Sequence, residues 1–236
     1  MTCQEIINQL QALASEKHKA NVTKLGIPEE NSIGVSTAEI RTLAKSIEKS
    51  QDLAYELWQS GYHEARLLAV LLFDKKKMTL HEVDALMSDV ISWDLCDHLC
   101  KNLIVKMKDF DQLITQWITS EHTYQKRGAF TLMASAAIHK KDITEETLDA
   151  YLALIQEHSK NEQDHIKKSV SWALREIGKH DFDTNEKALL LAHNLKKHGN
   201  KAQIWIGKDA IKELENLAKV PGRKRLISAD SKMGRQ

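Results

Sequence analysis

Ser92-Trp93-Asp94-Leu95-Cys96-Asp97-His98-Leu99-Cys100-Lys101-Asn102-Leu103-Ile104-Val105 sets an aromatic ring, two carboxylates and a cation inside one apolar helical pattern. Leu95, Leu99, Asn102 and Leu103 recur at helical spacing and predict a buried face, while Trp93, Asp97 and Lys101 recur four residues apart on a chemically different one. A solvated face accounts for Asp97 and Lys101 as an ion pair worth a few tenths of a kcal/mol. It does not account for Trp93, because a large aromatic ring loses by standing in water. The pattern therefore predicts that Trp93 and Asp97 line a ligand surface, the carboxylate supplying charge and the indole a flat contact.

Outward from this stretch the same unit recurs. Asp52 to Gln59 leads to Glu64 to Phe73, Glu82 to Val90 to the Trp93 helix, and Asp111 to Ile118 to Tyr124 to Ile138. Thr147 to Glu157 then leads to Asp164 to Lys179, and Glu186 to Leu195 to Ala202 to Leu217. Each is a helix pair with one apolar stripe. Arg66, Cys96, Arg127, Lys168 and Ile204 take comparable places near the starts of the second helices, 30, 31, 41 and 36 residues apart, close to the period of HEAT-like repeats. Stacking buries the stripes, so the expected fold is all-α, an α-solenoid of HEAT-like helical repeats with a concave basic face. Upstream, Ile6, Ile7, Leu10 and Leu13 mark a first helix, and Ser36 or Thr37 with Glu39 offers a cap for a helix starting near Thr37.

Composition agrees with that class. The 236 residues hold 2 Pro and 9 Gly, which leaves few breakers for long helical stretches, and strand signals are nearly absent. Net charge is +1, so any basic surface must come from uneven placement. Three cysteines, two of them four apart on one helix, argue for a reducing compartment, and a cytoplasmic protein is expected. No stretch approaches the ~20 apolar residues of a membrane span. The expected domain plan is a single repeat domain over 1–220, followed by a flexible basic tail over 221–236 that begins at Arg223-Lys224-Arg225.

The second helices carry residues that packing does not explain: Arg66; Trp93, Asp97 and Lys101; Lys126 and Arg127; Lys167, Lys168, Trp172 and Arg175; Lys201 and Lys208. Cations one repeat apart along a curved face suit a phosphate backbone. Each alone reads as a solvated helix end; the shared register gives them weight together.

Here specific motifs enter. W-D-x-x-D at Trp93 to Asp97, Y-Q-K-R-G-A-F at Tyr124 to Phe130 and K-S-V-S-W-A-L-R-E at Lys168 to Glu176 resemble the AlkD family of DNA alkylation repair glycosylases. Gly34-Val35 with Ile40-Arg41-Thr42-Leu43 is similar to that family's G-V-x-x-x-x-x-R-x-L signature, so the likeness spans about residues 25 to 215. The resemblance implies a catalytic aspartate at Asp97, tryptophans flanking the lesion at Trp93 and Trp172, and an arginine holding the DNA backbone at Arg127. Lys168, at the head of the third motif, joins the expected DNA contacts. Glu16 to Gly26 departs from the family in having no aromatic residue where its active members carry a tyrosine; Tyr62 is a candidate substitute.

The chemistry is consistent with these residues. A purine alkylated at N3 or N7 is already cationic and leaves the sugar as a neutral base without a general acid, so one carboxylate suffices to stabilise the oxocarbenium ion and orient water. The resemblance further implies capture without the flipping pocket that most base-processing enzymes use. The expected partner is double-stranded DNA with alkylated bases, bound by a monomer without a cofactor. No metal is expected, because Cys96, His98 and Cys100 do not converge on one ion and the two cysteines read as buried small hydrophobes. Trp58, Trp117 and Trp205 sit in apolar stripes and are expected in the core. The rival reading is a non-catalytic HEAT-like module for DNA or a protein partner, with Trp93 and Trp172 as anchors.

Overall fold

The computed structural model describes residues 1–24 and 26–235. Among them lie thirteen α-helices: α1 Cys3–Ala12, α2 Glu16–Thr23, α3 Thr37–Lys45, α4 Gln51–Gln59, α5 His63–Leu72, α6 Leu80–Ser88, α7 Trp93–Asn102, α8 Asp111–Ile118, α9 Thr123–His139, α10 Glu145–His158, α11 Asp164–Gly178, α12 Phe182–His198 and α13 Lys201–Leu214. The helix pairs read from the apolar stripes are all present. Side-chain caps start most of them, as at Ser36, whose hydroxyl accepts from Glu39 N–H while the Glu39 carboxylate accepts from Ser36 N–H. The Trp93 helix is shorter than its apolar pattern: it stops at Asn102, whose side-chain amide donates to the His98 carbonyl at 2.8 Å, and a 3-10 turn over Ile104–Lys106 follows.

Packing divides the chain into two compact units, residues 1–113 and 114–236. In the first, α3, α5 and α7 pack in a row, with α4 against α5 and α1 against both α4 and α5. In the second, α9, α11 and α13 make one row and α10 and α12 another. The paired layers follow from helices that are each apolar on one stripe, since only a neighbouring pair covers that stripe.

Two close approaches hold these rows in register. In the first unit, Glu64 in the first turn of α5 is fully buried and accepts backbone N–H groups from Ile33 at 2.9 Å, Gly34 at 2.6 Å and Val35 at 3.3 Å. Gly34 has φ +93°, and a Cβ there would stand 2.8 Å from the Ser15 carbonyl oxygen, so the loop closes round the carboxylate only with glycine. In the second unit, a Cβ on Gly207 would lie 2.4 Å from the Ala192 carbonyl oxygen, which lets α12 and α13 meet backbone to backbone.

Residues 221–235 are largely exposed yet make specific contacts; position 236 lies outside the described residues. Strands β1 Leu217–Ala218 and β2 Ile227–Ser228 pair antiparallel, Leu217 opposite Ser228. Leu226 is 2% exposed and its N–H donates to the Lys179 carbonyl at 2.8 Å, while Arg225 donates to the Glu176 carboxylate at 2.8 Å and to its carbonyl at 2.6 Å. One buried leucine and one paired arginine hold a segment whose composition alone reads as loose.

Candidate nucleic-acid interface

In the first unit, α7 divides its residues as its periodicity predicts. Leu95, Cys96, Leu99 and Cys100 are buried, whereas Trp93 at the first position is 39% exposed. Asp97, one turn on, is 9% exposed, and Lys101 is half-buried. An open indole stands beside a nearly enclosed carboxylate, an arrangement in which the carboxylate acts at reduced dielectric. Beside Asp97, burial first and the Arg41 charge second push His98 down to about 4, so its imidazole is neutral near pH 7.

Asp94, the first carboxylate of the same motif, has a different task. Its Oδ2 meets Nε2 of buried His63 at 2.8 Å, joining α7 to the start of α5. Burial works to raise its pKa, but the His63 hydrogen bond and charge outweigh it and leave Asp94 below its ordinary value. Arg66, expected on the ligand-facing wall, is also engaged inside the unit. It donates to the Trp58 carbonyl at 3.1 Å and the Asp89 carbonyl at 3.2 Å, with its guanidinium 5.3 Å from the Trp58 ring centre.

In the second unit, α11 carries Lys167, Lys168 and Trp172. Lys168 is well exposed, 3.6 Å from Asp164, and Trp172 four residues on is partly exposed. Lys167 pairs with Asp164 at 2.8 Å and lies 5.0 Å over the ring of Trp205, which is 37% exposed on α13 and not in the core where its stripe placed it. Trp58 and Trp117 are buried as expected. Arg175 does not face outward as a loose cation; it pairs with Asp209 at 3.4 Å and with Glu213, which also takes Lys179. Burial works to raise the Glu213 pKa, yet its pairing with Lys179 and Arg175 lowers it.

Arg127 is 7% exposed and donates from Nη1 to the His165 carbonyl at 2.6 Å, tying α9 to the first turn of α11. The resemblance implied a backbone contact to DNA for this residue; the structure gives it a contact within the protein. A charged donor on a part-buried carbonyl contributes about 1.5 to 3 kcal/mol. Arg127→Ala is therefore expected to lower the melting temperature by about 5 °C at this chain length. A melt unchanged within a degree would remove this role and favour an open phosphate contact.

The paired-helix fold is that of the HEAT-like repeat proteins. The sequence model of the DNA alkylation repair enzymes matches residues 6–214, and the chain belongs to that family. Among curated proteins no sequence matches it significantly. Solved structures share the fold. One is from "a new family of proteins related to the HEAT-like repeat DNA glycosylases with affinity for branched DNA structures", with TM-score 0.76 and 19% identity over 100% of this chain and 93% of its own. AlkD2 from Streptococcus mutans gives a TM-score of 0.60 at 18% identity, covering 89% of this chain and 98% of its own. The smu.31 protein of Streptococcus mutans UA159 gives 0.56 at 18% identity with the same coverage. No helix among the described residues is long and apolar enough to cross a membrane.

The motifs pointed to Trp93, Asp97, Lys168 and Trp172 through their types. They gave no sign of Glu64, His63 or Trp205. Glu64 resembles any acidic residue in a first turn, and its partners are backbone amides about thirty residues away. Trp205 was open to detection, since Ala202, Ile206 and Ala210 form the buried stripe of α13 and leave it to one side.

Proposed function

We propose that this protein binds duplex DNA and releases N3- or N7-alkylated purines, such as 3-methyladenine and 7-methylguanine, as a DNA N-glycosylase. The observation that carries this reading is the α7 face, where the exposed Trp93 precedes the nearly enclosed Asp97 by one turn. Membership of the DNA alkylation repair enzymes supports it. The N-glycosidic bond breaks with its electron pair going to the cationic purine, which departs neutral. Asp97 then faces an oxocarbenium ion, stabilises it by charge, and orients the water whose oxygen bonds to C1′ as its proton is lost. In the first unit Trp93 supplies a flat apolar contact to the sugar or base; in the second, taken by itself, Lys168 supplies a phosphate contact and Trp172 an aromatic one to DNA. The test is release of free base from methylated duplex DNA above the rate of spontaneous loss.

The non-catalytic alternative is favoured by one observation: the solved structure matched along the whole chain belongs to a family described by its affinity for branched DNA. Binding to a four-way junction in preference to duplex, with no base released from either, would establish that reading and overturn the glycosylase.

A further inference from the structure

The segments that follow α3, α5 and α7 bring cations together in the first unit. Lys49 beyond α3 reaches the Phe73 carbonyl at the end of α5 at 3.5 Å, and Arg41 on α3 reaches the Asn102 side chain at the end of α7 at 3.3 Å. Lys75, Lys76, Lys106 and Lys108 line a groove of about 650 Å³ with Met78 and Met107 among its walls. Asp109 also lines it, but lies 3.9 Å from Lys108 where both side chains are well exposed. Among the described residues no carboxylate pairs with Lys49, Lys75 or Lys106. Lys106 is held below the ordinary lysine value, by partial burial first and then by the positive charges of Lys49, Lys75 and Arg41.

A helix C-terminus is complemented by a cation in its own last turn. That explanation covers Lys49 in part, through the Phe73 carbonyl at the end of α5, but not the gathering of Lys49, Lys75 and Arg41 around Lys106, whose ammonium all three repel. Such crowding costs the folded chain free energy and is offset when an anion enters.

We propose that Arg41, Lys49, Lys75 and Lys106 form a phosphate-binding patch that takes the backbone of a nucleic acid. This rests on the DNA-binding reading and adds a second contact region to it. The patch lies toward the opposite end of α7 from Trp93, a helix length of ~15 Å. At 3.4 Å per phosphate along one strand, that length corresponds to roughly four or five nucleotides.

The test is fluorescence anisotropy of the full chain with labelled unmodified duplex across a salt series. The triple variant Lys49→Ala, Lys75→Ala, Lys106→Ala is expected to reduce the slope of log K against log salt by about 2 to 3, near 0.9 per lost contact. Its affinity near 0.1 M salt should fall at least tenfold, and the matching triple Lys→Arg variant should keep the parent slope. A triple Ala variant with the parent slope would overturn the patch while leaving DNA binding intact. A parent chain without salt-dependent DNA binding would overturn the reading beneath it.

Discussion

Asp97→Asn is expected to abolish base release, by ~10² or more, while the protein stays folded and keeps its grip on DNA. The loss follows from charge, since asparagine preserves shape and hydrogen bonding but cannot offset a cationic sugar, and terms of this kind are often the largest in catalysis. At 9% exposure Asp97 is screened less than a surface carboxylate, which enlarges the effect. Affinity should hold or rise, because a carboxylate beside phosphates repels them. A structural Asp97 gives the reverse pattern: stability lost, by about 0.5 to 2 kcal/mol if it caps or pairs within the chain, and activity lost only with the folded fraction. Thermal melts, lesion binding and single-turnover release on one mutant separate the two. A mutant that still frees 7-methylguanine at the parent rate would end the mechanism.

The largest stability effect is expected at Glu64. Replacing it with alanine removes the acceptor for three buried N–H groups at Ile33, Gly34 and Val35 and leaves them without water to compensate. Charge-assisted bonds of this kind, left half-made, cost about 3 to 5 kcal/mol. The melting temperature should fall by about 10 °C or more. Glu64→Gln keeps an acceptor oxygen and should fall less. Equal, small losses for both variants would show that the loop is held by its other contacts, such as the Ser15 N–H to Gly34 carbonyl bond at 2.9 Å.

These two residues mark the reach of the sequence. Helix existence was legible because stripes such as Leu95 and Leu99 report burial directly, and Asp97 could be proposed because a carboxylate stands one turn from an indole there. Glu64 was silent, since a side chain that binds backbone amides needs no particular residue at the other end. The contacts of segment 221–235 were silent for a related reason. Composition averages over many residues, but attachment needed only Leu226 in a buried site and Arg225 on Glu176. Arg127 showed its type but not its bond to the His165 carbonyl, because nothing in a sequence marks which backbone oxygen a guanidinium meets.

The attached C-terminal ribbon has a bearing on proteolysis. Arg223 and Lys224 stand exposed in the turn between β1 and β2, whereas Arg225 is partly enclosed on Glu176. Trypsin should therefore nick the turn first. The cut ends remain joined through the strand pair, the Leu226 site and the Lys179 carbonyl, so nicked protein should elute from a sizing column as the intact molecule and fall into two pieces only in denaturant.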